Sequence, residues 1–319
     1  MTQTVDYTAI LATGSKQKAK RPPILLTYGE KKIGKTTFAA AFPKPAFICG
    51  EDGAHGIADF RFPNEGHVTT WTELLNYTRA LAYGNHDFKT LVGDTLGPLS
   101  AVCLDHVVNE SKKGSWEKMG WGKEEDLVRE WRVWMSLLEH CRNKRGMTIV
   151  LLAHAVQAGV NDSQLGDKYY IWQGDMHRAL WNATSNWADI VLYAAKERAI
   201  HDPGENIHTR AIVKENRWLY SCQTAENSGF EAGVRGGFRL PPIVRLDHVS
   251  FTRELNETAE NVRTRVIALA KSFPATDDVV TKNLLLWATP ANLATFGDDI
   301  GKLRALEAQL TDAKEKLPK

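Results

Sequence analysis

Four cysteines in 319 residues, Cys49, Cys103, Cys141 and Cys222, stand far apart, and no C-x-x-C pair occurs. That excludes a disulfide framework and leaves them as small core fillers in a reducing compartment. The ten histidines form neither an H-E-x-x-H pattern nor a His/Cys cluster of structural-zinc spacing, so no zinc is expected. No apolar run is long enough to cross a bilayer. The first residues, MTQTVDYTAILATGSKQKAKRPP, lack the charge-then-apolar order of a secretory signal, which points to the cytoplasm as the place of work. Net charge is nearly absent too, at a formal +2. Bulk charge therefore announces no nucleic-acid partner, and any such surface must be local. No internal repeat is visible. What remains is a chain with a hydrophobic fraction of 43%, enough for one large domain or two modest ones.

One stretch is specific. In YGEKKIGKTTFAAAF, Gly29, Gly34, Lys35 and Thr36 satisfy G-x-x-x-x-G-K-T, the phosphate-cradling loop of nucleoside triphosphate binders. ILLTY before it reads as a strand and TFAAAF after it as a helix, the context that the motif needs. The cradle is Gly29, Glu30, Lys31, Lys32, Ile33, Gly34, Lys35, Thr36 and Thr37. Its backbone N–H groups face phosphates, Lys35 neutralises charge at the β and γ positions, and Thr36 offers a hydroxyl to magnesium. The bland reading is a glycine turn with a solvated lysine.

Along the chain, Lys16, Lys18, Lys20 and Arg21 make a basic arm before Pro22 and Pro23, either a phosphate contact or a solubilising terminus. Ala46 to Cys49 reads as a buried strand ending in Gly50, Glu51, Asp52 and Gly53. TTWTELLNYTRALAY reads as a helix stopped by Gly84, and Thr90 to Val92 as a strand with Asp94 at its end. Gly93 inside that strand marks an early exit or close packing. NESKKGSWEKMGWGKEED reads as a loop or lid. EDLVREWRVWMSLLEHCR is helical, with Leu127, Trp131, Trp134, Leu138 and Cys141 on one broad apolar face. TIVLLAHA is the clearest strand, apolar throughout, as a parallel strand covered on both faces must be. VQAGVNDSQLGDKYYIWQGD reads as a long surface loop. ADIVLYAA is a further strand, and HTRAIVK and NRWLYSCQ look like an antiparallel pair near an edge. From Thr252 onward come helices. The last carries Leu303, Leu306 and Leu310 on a charged helix, suited to a partner or to its own core.

Three residues complete the chemistry. Asp94 can hold magnesium through water and steady Thr36, or it caps a turn. Glu51 is placed to orient or deprotonate the attacking water, and otherwise caps the turn before Gly53; Asp52 is the weaker candidate. His154, at the end of TIVLLAHA, either bonds the γ-phosphate or lytic water and reports on it, or is a satisfied core histidine.

These residues resemble the RecA-like P-loop ATPases, and more closely the phage nucleotide-binding proteins of that superfamily, distant relatives of Rad51 that act in phage recombination. The resemblance lies in GEKKIGKTT, AFICGEDG, LVGDT and TIVLLAHA and covers roughly residues 22 to 250. It puts Glu51 on the catalytic glutamate, Asp94 and Thr95 on the Walker B acid and its hydroxyl neighbour, and His154 on the polar sensor. RecA recombinases carry a glutamine-type sensor, whereas the phage group often has histidine there. The Trp-rich insert around Ser115 to Trp121 has no counterpart in the family pattern.

The resemblance implies an α/β fold with a mostly parallel central sheet flanked by helices, antiparallel edge strands and a helical C-terminal extension. It divides the chain into a basic flexible arm at 1–21, a core at 22–250 with inserts near 106–124 and 156–175, and an extension at 251–319. It implies ATP and Mg2+, a homo-oligomeric ring or filament, single-stranded DNA, and a single-strand annealing or binding protein as partner. The DNA contacts would be Lys112, Lys113, Trp116 and Lys118 in the first insert and Lys168, Tyr169, Tyr170 and Trp172 in the second, amines for phosphates and rings for bases. Tryptophans also pack inserts down. Arg235, with Arg239, Lys214 and Arg217 as competitors, would reach a neighbouring subunit's site. Two other readings are a nucleotide-regulated assembly protein with slow hydrolysis and a P-loop kinase.

Overall fold

A computed structural model describes residues 21–161, 168–201, 210–224, 229–235, 237–274, 278–297 and 299–316; the basic arm before Arg21 lies outside them. All of β1 (Ile24–Gly29) is buried. Ile24, Leu26 and Tyr28 join one apolar cluster while Leu25 joins another. A run that is apolar throughout still alternates, because successive side chains of a strand point to opposite faces and here both faces are covered.

After α1 (Lys35–Ala40) come β2 (Pro45–Cys49), β3 (Arg61–Phe62), α2 (Trp71–Tyr83), β4 (Thr90–Asp94), α3 (Leu96–Glu110) and α4 (Lys123–Arg145). Then follow β5 (Thr148–Asn161), β6 (Lys168–Gly174), α5 (Arg178–Trp187), β7 (Ile190–His201), β8 (Arg210–Tyr220), β9 (Gly233–Val234) and β10 (Ile243–Arg245). The chain closes with α6 (His248–Leu255), α7 (Ala259–Lys271), α8 (Val279–Trp287), α9 (Pro290–Ala294) and α10 (Ile300–Glu315). The strand order is β10-β8-β7-β1-β5-β4-β2-β3. β7, β1, β5, β4, β2 and β3 run parallel, and β8, β9 and β10 add antiparallel pairs at one side. This is the mixed α/β fold with C-terminal helices that the sequence implies.

One face is covered by α2, α3, α4 and α5. Trp131 and Trp134 of α4 are fully buried, and their indole N–H groups donate to Thr184 and Thr78, each at 2.9 Å. Each threonine hydroxyl in turn donates to the carbonyl four residues back, so the polar atoms carried inside by the aromatic face are satisfied. The start of α2 is fixed by a capping box, with Thr70 accepting from the Glu73 N–H and Glu73 accepting from the Thr70 N–H. The other face packs Phe38 and Phe42 of the first helical turns against Phe251 of α6. Leu303, Leu306 and Leu310 of α10 close a third cluster with Val262 and Val266 of α7. That helix therefore seats on its own chain. Cys49, Cys103 and Cys141 are buried thiols, as core filling requires, and Cys222 is half-buried.

Three sequence readings need correction. The described parts of the second insert are strand rather than loop: β5 continues to Asn161 and pairs antiparallel with β6, Gly159 opposite Tyr170 and Ala158 opposite Ile171, while residues 162–167 lie outside the described residues. Its glycines looked like loop punctuation, but a glycine across from an aromatic is compatible with a ladder, and the β-forming Val156, Tyr169 and Ile171 carry it. HTRAIVK and NRWLYSCQ are not two paired strands. Residues Arg210–Tyr220 form the single strand β8, which pairs with β7 across a register shift between Lys196 and Arg198; Lys214 and Asn216 both bond across the pair to Glu197 of β7, so the strand continues through them. The first insert is shorter than 106–124, because α3 runs to Glu110 and α4 starts at Lys123, leaving the turn 111–122. Gly93 does not end its strand. A Cβ there would lie 3.1 Å from Leu151 Cδ2, so close packing is its reason.

Candidate functional site

The parallel strands end together. Gly29, Cys49, Asp94 and His154 lie at the C-terminal edge, with Gly29 in register with His154 and Cys49 with Asp94, the edge where α/β sheets hold ligands. Gly29 must be glycine, since a Cβ would sit 2.1 Å from the Ala194 carbonyl oxygen. Gly34 has φ 109° at the start of α1, a region that side-chain-bearing residues avoid.

Lys35 folds back into this loop. Its Nζ donates to the carbonyls of Gly29 at 2.9 Å and Glu30 at 2.8 Å, and lies 3.4 Å from His154 Nδ1. The side chain is buried, and that burial lowers its pKa to about 8 against the pull of Asp94, Glu51 and Glu30. The Thr36 hydroxyl donates to Asp94 Oδ2 at 2.8 Å. His154 Nε2 lies 3.1 Å from Glu51 Oε1. Burial, and then the neighbouring Lys35 charge, hold His154 below the usual imidazole range. With an ammonium facing Nδ1, that nitrogen accepts and Nε2–H donates to the Glu51 carboxylate, an assignment made from the partners. Lys35, His154 and Glu51 thus form one hydrogen-bonded chain across three strand ends.

Glu51 does not cap the turn that follows it. Asp52 is held instead by Arg61 at 2.6 Å, so the two neighbouring carboxylates are separated in role. Asp94 is 2% exposed, and burial raises its pKa to about 6 despite the Thr36 hydrogen bond. Beside it the Thr95 hydroxyl is buried without a hydrogen-bond partner. The Thr36 hydroxyl and the Asp94 carboxylate, in hydrogen-bond contact at one strand end, are hard oxygen donors that fit magnesium, a cation that takes one or two protein oxygens and completes its shell with substrate phosphate and water. Among the described residues no group of three or more His, Cys, Asp or Glu is arranged to hold a metal by itself.

An ionised Asp94 is a liability until a cation arrives. Its folded pKa lies above the unfolded 3.8, so its contribution to stability falls as pH rises from about 4 to 6 and stays low above that. Asp94→Asn, which keeps an acceptor for Thr36, is therefore expected to raise the melting temperature of the nucleotide-free protein at pH 8, by up to about 3 kcal/mol of stability. The same variant should lose the further stabilisation that ATP with magnesium gives the unaltered protein. A lower melting point without nucleotide would contradict this account of Asp94.

Other candidates fall elsewhere. Arg235 donates from its backbone to Asp189 O and from its guanidinium to Trp187 O, at the N-terminal end of β7. Gly29 pairs five positions further along, roughly 16 Å away at strand rise, so Arg235 does not reach the loop of its own chain. Lys214 pairs with Glu197. Arg217 does reach the loop, donating to the Ile33 carbonyl at 3.0 Å; sequence offered it only as a residue for a neighbouring subunit. Lys112, Lys113 and Lys118 are exposed, as are Tyr169 and Tyr170 on β6. Trp116 and Trp172 are not: both pack against the core, Trp172 stacked on Tyr193. Lys168 opens β6, paired with Asn161. Tyr28, one residue before Gly29, was passed over. Its hydroxyl lies 3.0 Å from Trp172 O and 2.7 Å from Glu231 O and accepts from the Glu231 N–H. The loop strand is thereby tied to β6.

A family model described as an AAA domain matches residues 21–235. The chain belongs to that family. Residues 21–235 are accordingly an ATP-binding domain of AAA type. Among solved structures, the chain is similar to the crystal structure of the RadB recombinase, at 13% identity over 67% of this chain and 84% of that one, with a TM-score of 0.35. No curated protein matches. No helix among the described residues is long and apolar enough to cross a membrane.

Proposed function

We propose that this AAA-domain protein is a magnesium-dependent ATPase acting on single-stranded DNA in phage recombination or replication, working as a ring or filament of identical subunits. The observation that carries the reading is the single strand β5. Its first half sits between β1 and β4, His154 stands at the junction in hydrogen-bond reach of Lys35 and Glu51, and its second half is one arm of the β5–β6 hairpin. The Asp175 N–H donates to the His154 carbonyl at 2.8 Å, closing that hairpin on the same residue.

In this reading Lys35 leaves the Gly29 and Glu30 carbonyls for the phosphates. Magnesium, held by Thr36 and Asp94, supplies charge neutralisation at the phosphate oxygens when bound. Glu51 orients the attacking water and accepts its proton, while His154 Nε2–H keeps the carboxylate aimed. When Lys35 shifts, His154 Nδ1 loses its cation, and the change passes along β5 into the hairpin. Arg235 serves a neighbouring subunit's site. The arm at 1–21, the core at 22–250 and the extension at 251–319 are its parts, and a single-strand annealing or binding protein is its partner.

Phosphate release from ATP with magnesium, measured across protein concentration with and without oligo-dT, tests this. DNA should raise turnover, and specific activity should climb with protein concentration. Turnover indifferent to saturating DNA would sink the DNA reading; a nucleotide-dependent change in mass would then favour a nucleotide-controlled assembly protein.

A further inference from the structure

Two cations stand beside the loop on the side away from Glu51 and His154. Strand β1 lies between β5 and β7. On the β5 side the Thr36 hydroxyl reaches Asp94, and Lys35 lies near His154. On the other side a Cβ on Gly29 would strike the Ala194 carbonyl of β7, and two residues past Ala194 comes Lys196, in register with Arg217 of β8. Ala194 and Leu219, two positions from Lys196 and Arg217, belong to the cluster that includes Phe38 and Ala39 of α1. Strand alternation therefore puts Lys196 and Arg217 on the α1 face, beside the loop. Lys214, Asn216 and Trp218 alternate to the opposite face and gather on Glu197, at 2.5, 2.8 and 3.4 Å.

Like charges directly opposite each other weaken an antiparallel pair, and among the described residues neither Lys196 nor Arg217 forms an ion pair that would offset the repulsion. Glu197 faces away, and Asp247 accepts from the Ser250 N–H at 2.7 Å. Glu215, on the Arg217 face, is exposed. Together with Lys31, Lys32 and Lys35, the loop and these strand ends carry five cations against Glu30 and Glu215, an excess that calls for an anion. Arg217 NH1 donates to the Ile33 carbonyl at 3.0 Å and lies 3.0 Å from where a Cβ on Gly34 would be. The guanidinium thus rests on the loop of its own chain, with further N–H groups to offer.

We infer that Arg217, with Lys196 beside it, binds the α-phosphate of the nucleotide in its own subunit's loop, rather than the γ-phosphate in a neighbour's. A triphosphate whose outer end meets Lys35 and Asp94 runs back along the loop toward Gly34 and β8. There its α-phosphate meets a planar fork suited to two phosphate oxygens, backed by the point charge of a lysine. The inference rests on the reading of this loop as an ATP site and adds the side of that site nearer the nucleoside.

Calorimetry with ADP and steady-state kinetics with ATP, both with magnesium and the full chain, test it. In Arg217→Ala the Kd for ADP and the KM for ATP should each rise about 10- to 100-fold, the loss of a charge-assisted contact, while kcat at saturating ATP stays within about threefold. Arg217→Lys, which keeps the charge without the fork, should recover part of the affinity. Lys196→Ala should weaken ADP in the same direction by less. An arginine aimed at a neighbour's γ-phosphate would do the opposite: kcat would collapse by about a thousandfold or more, and ADP, which lacks that phosphate, would bind as before. Mixing Lys35→Ala with Arg217→Ala subunits separates the two again, because only a trans arrangement lets the first supply an arginine to the intact loop of the second. Unchanged ADP affinity in Arg217→Ala, or turnover regained on mixing, overturns the inference alone. If the unaltered protein binds neither ADP nor ATP, the ATP-site reading falls and takes the inference with it.

Discussion

Glu51→Gln is expected to lower ATP turnover about a hundred- to ten-thousandfold, the range supplied by a positioned general base, while nucleotide binding stays near that of the unaltered protein. The geometry makes the two effects separable. Glu51 lies just past β2, and its hydrogen-bond partner is His154 Nε2 at 3.1 Å. Glutamine keeps an oxygen for that N–H and nearly the same shape, so His154 and Lys35 should hold their places. What it loses is the ability to take a proton. Steady-state phosphate release beside a thermal-shift titration with ATP and magnesium reads both quantities. Asp52→Asn supplies the control, because Asp52 is committed to Arg61 and its loss should leave turnover within about threefold. Turnover near that of the unaltered protein in Glu51→Gln would remove Glu51 from the chemistry and leave magnesium and the loop to orient water alone.

Legibility followed locality. The P-loop could be read because strand, glycine turn and helix are consecutive, and each follows from short-range sterics and burial. The α2 helix announced itself through helical spacing of apolar residues and the Gly84 stop, and α4 through five apolar positions that are all fully buried. The β5–β6 hairpin was hidden, since its pairing partner is what makes Gly159 acceptable in a strand. Arg217 could not be assigned from sequence because its contact to Ile33 crosses from β8 to the loop, and the Tyr28 hydroxyl owes its role to Trp172 and Glu231, equally remote in the chain. Trp116 and Trp121 are the sharpest case. They differ by five positions and share composition, yet one ring is packed and the other free in solvent. Only the tertiary fold separates the packed ring from the exposed one.

Asp189 belongs to the same remote class and carries the largest expected effect on stability. Its Oδ2 accepts from the Ile24 N–H at 3.0 Å and from Arg142 NH2 at 2.6 Å, and Arg142 Nε donates to the Pro22 carbonyl at 2.7 Å. The start of β1, the last turn of α4 and the start of β7 are thus joined through one carboxylate that is 8% exposed. Removing one member of a buried ion pair leaves the other charged and unsolvated, which costs about 3–5 kcal/mol, and here an amide N–H would also be orphaned. Asp189→Ala should therefore move the urea midpoint far down. Asp189→Asn keeps an acceptor for Ile24 and should recover part of the loss, whereas Arg142→Met removes the charge together with its partner's need for it and should be milder than Asp189→Ala when combined with Asp189→Asn. Because β1 leads directly into Gly29, partial loss of this anchor should also weaken ATP binding before global unfolding, visible as a nucleotide thermal shift that shrinks ahead of the main transition. An Asp189→Ala midpoint within about 1 kcal/mol of the unaltered protein would show that the pair is solvated in practice, and that the strand end is held by its backbone ladder alone.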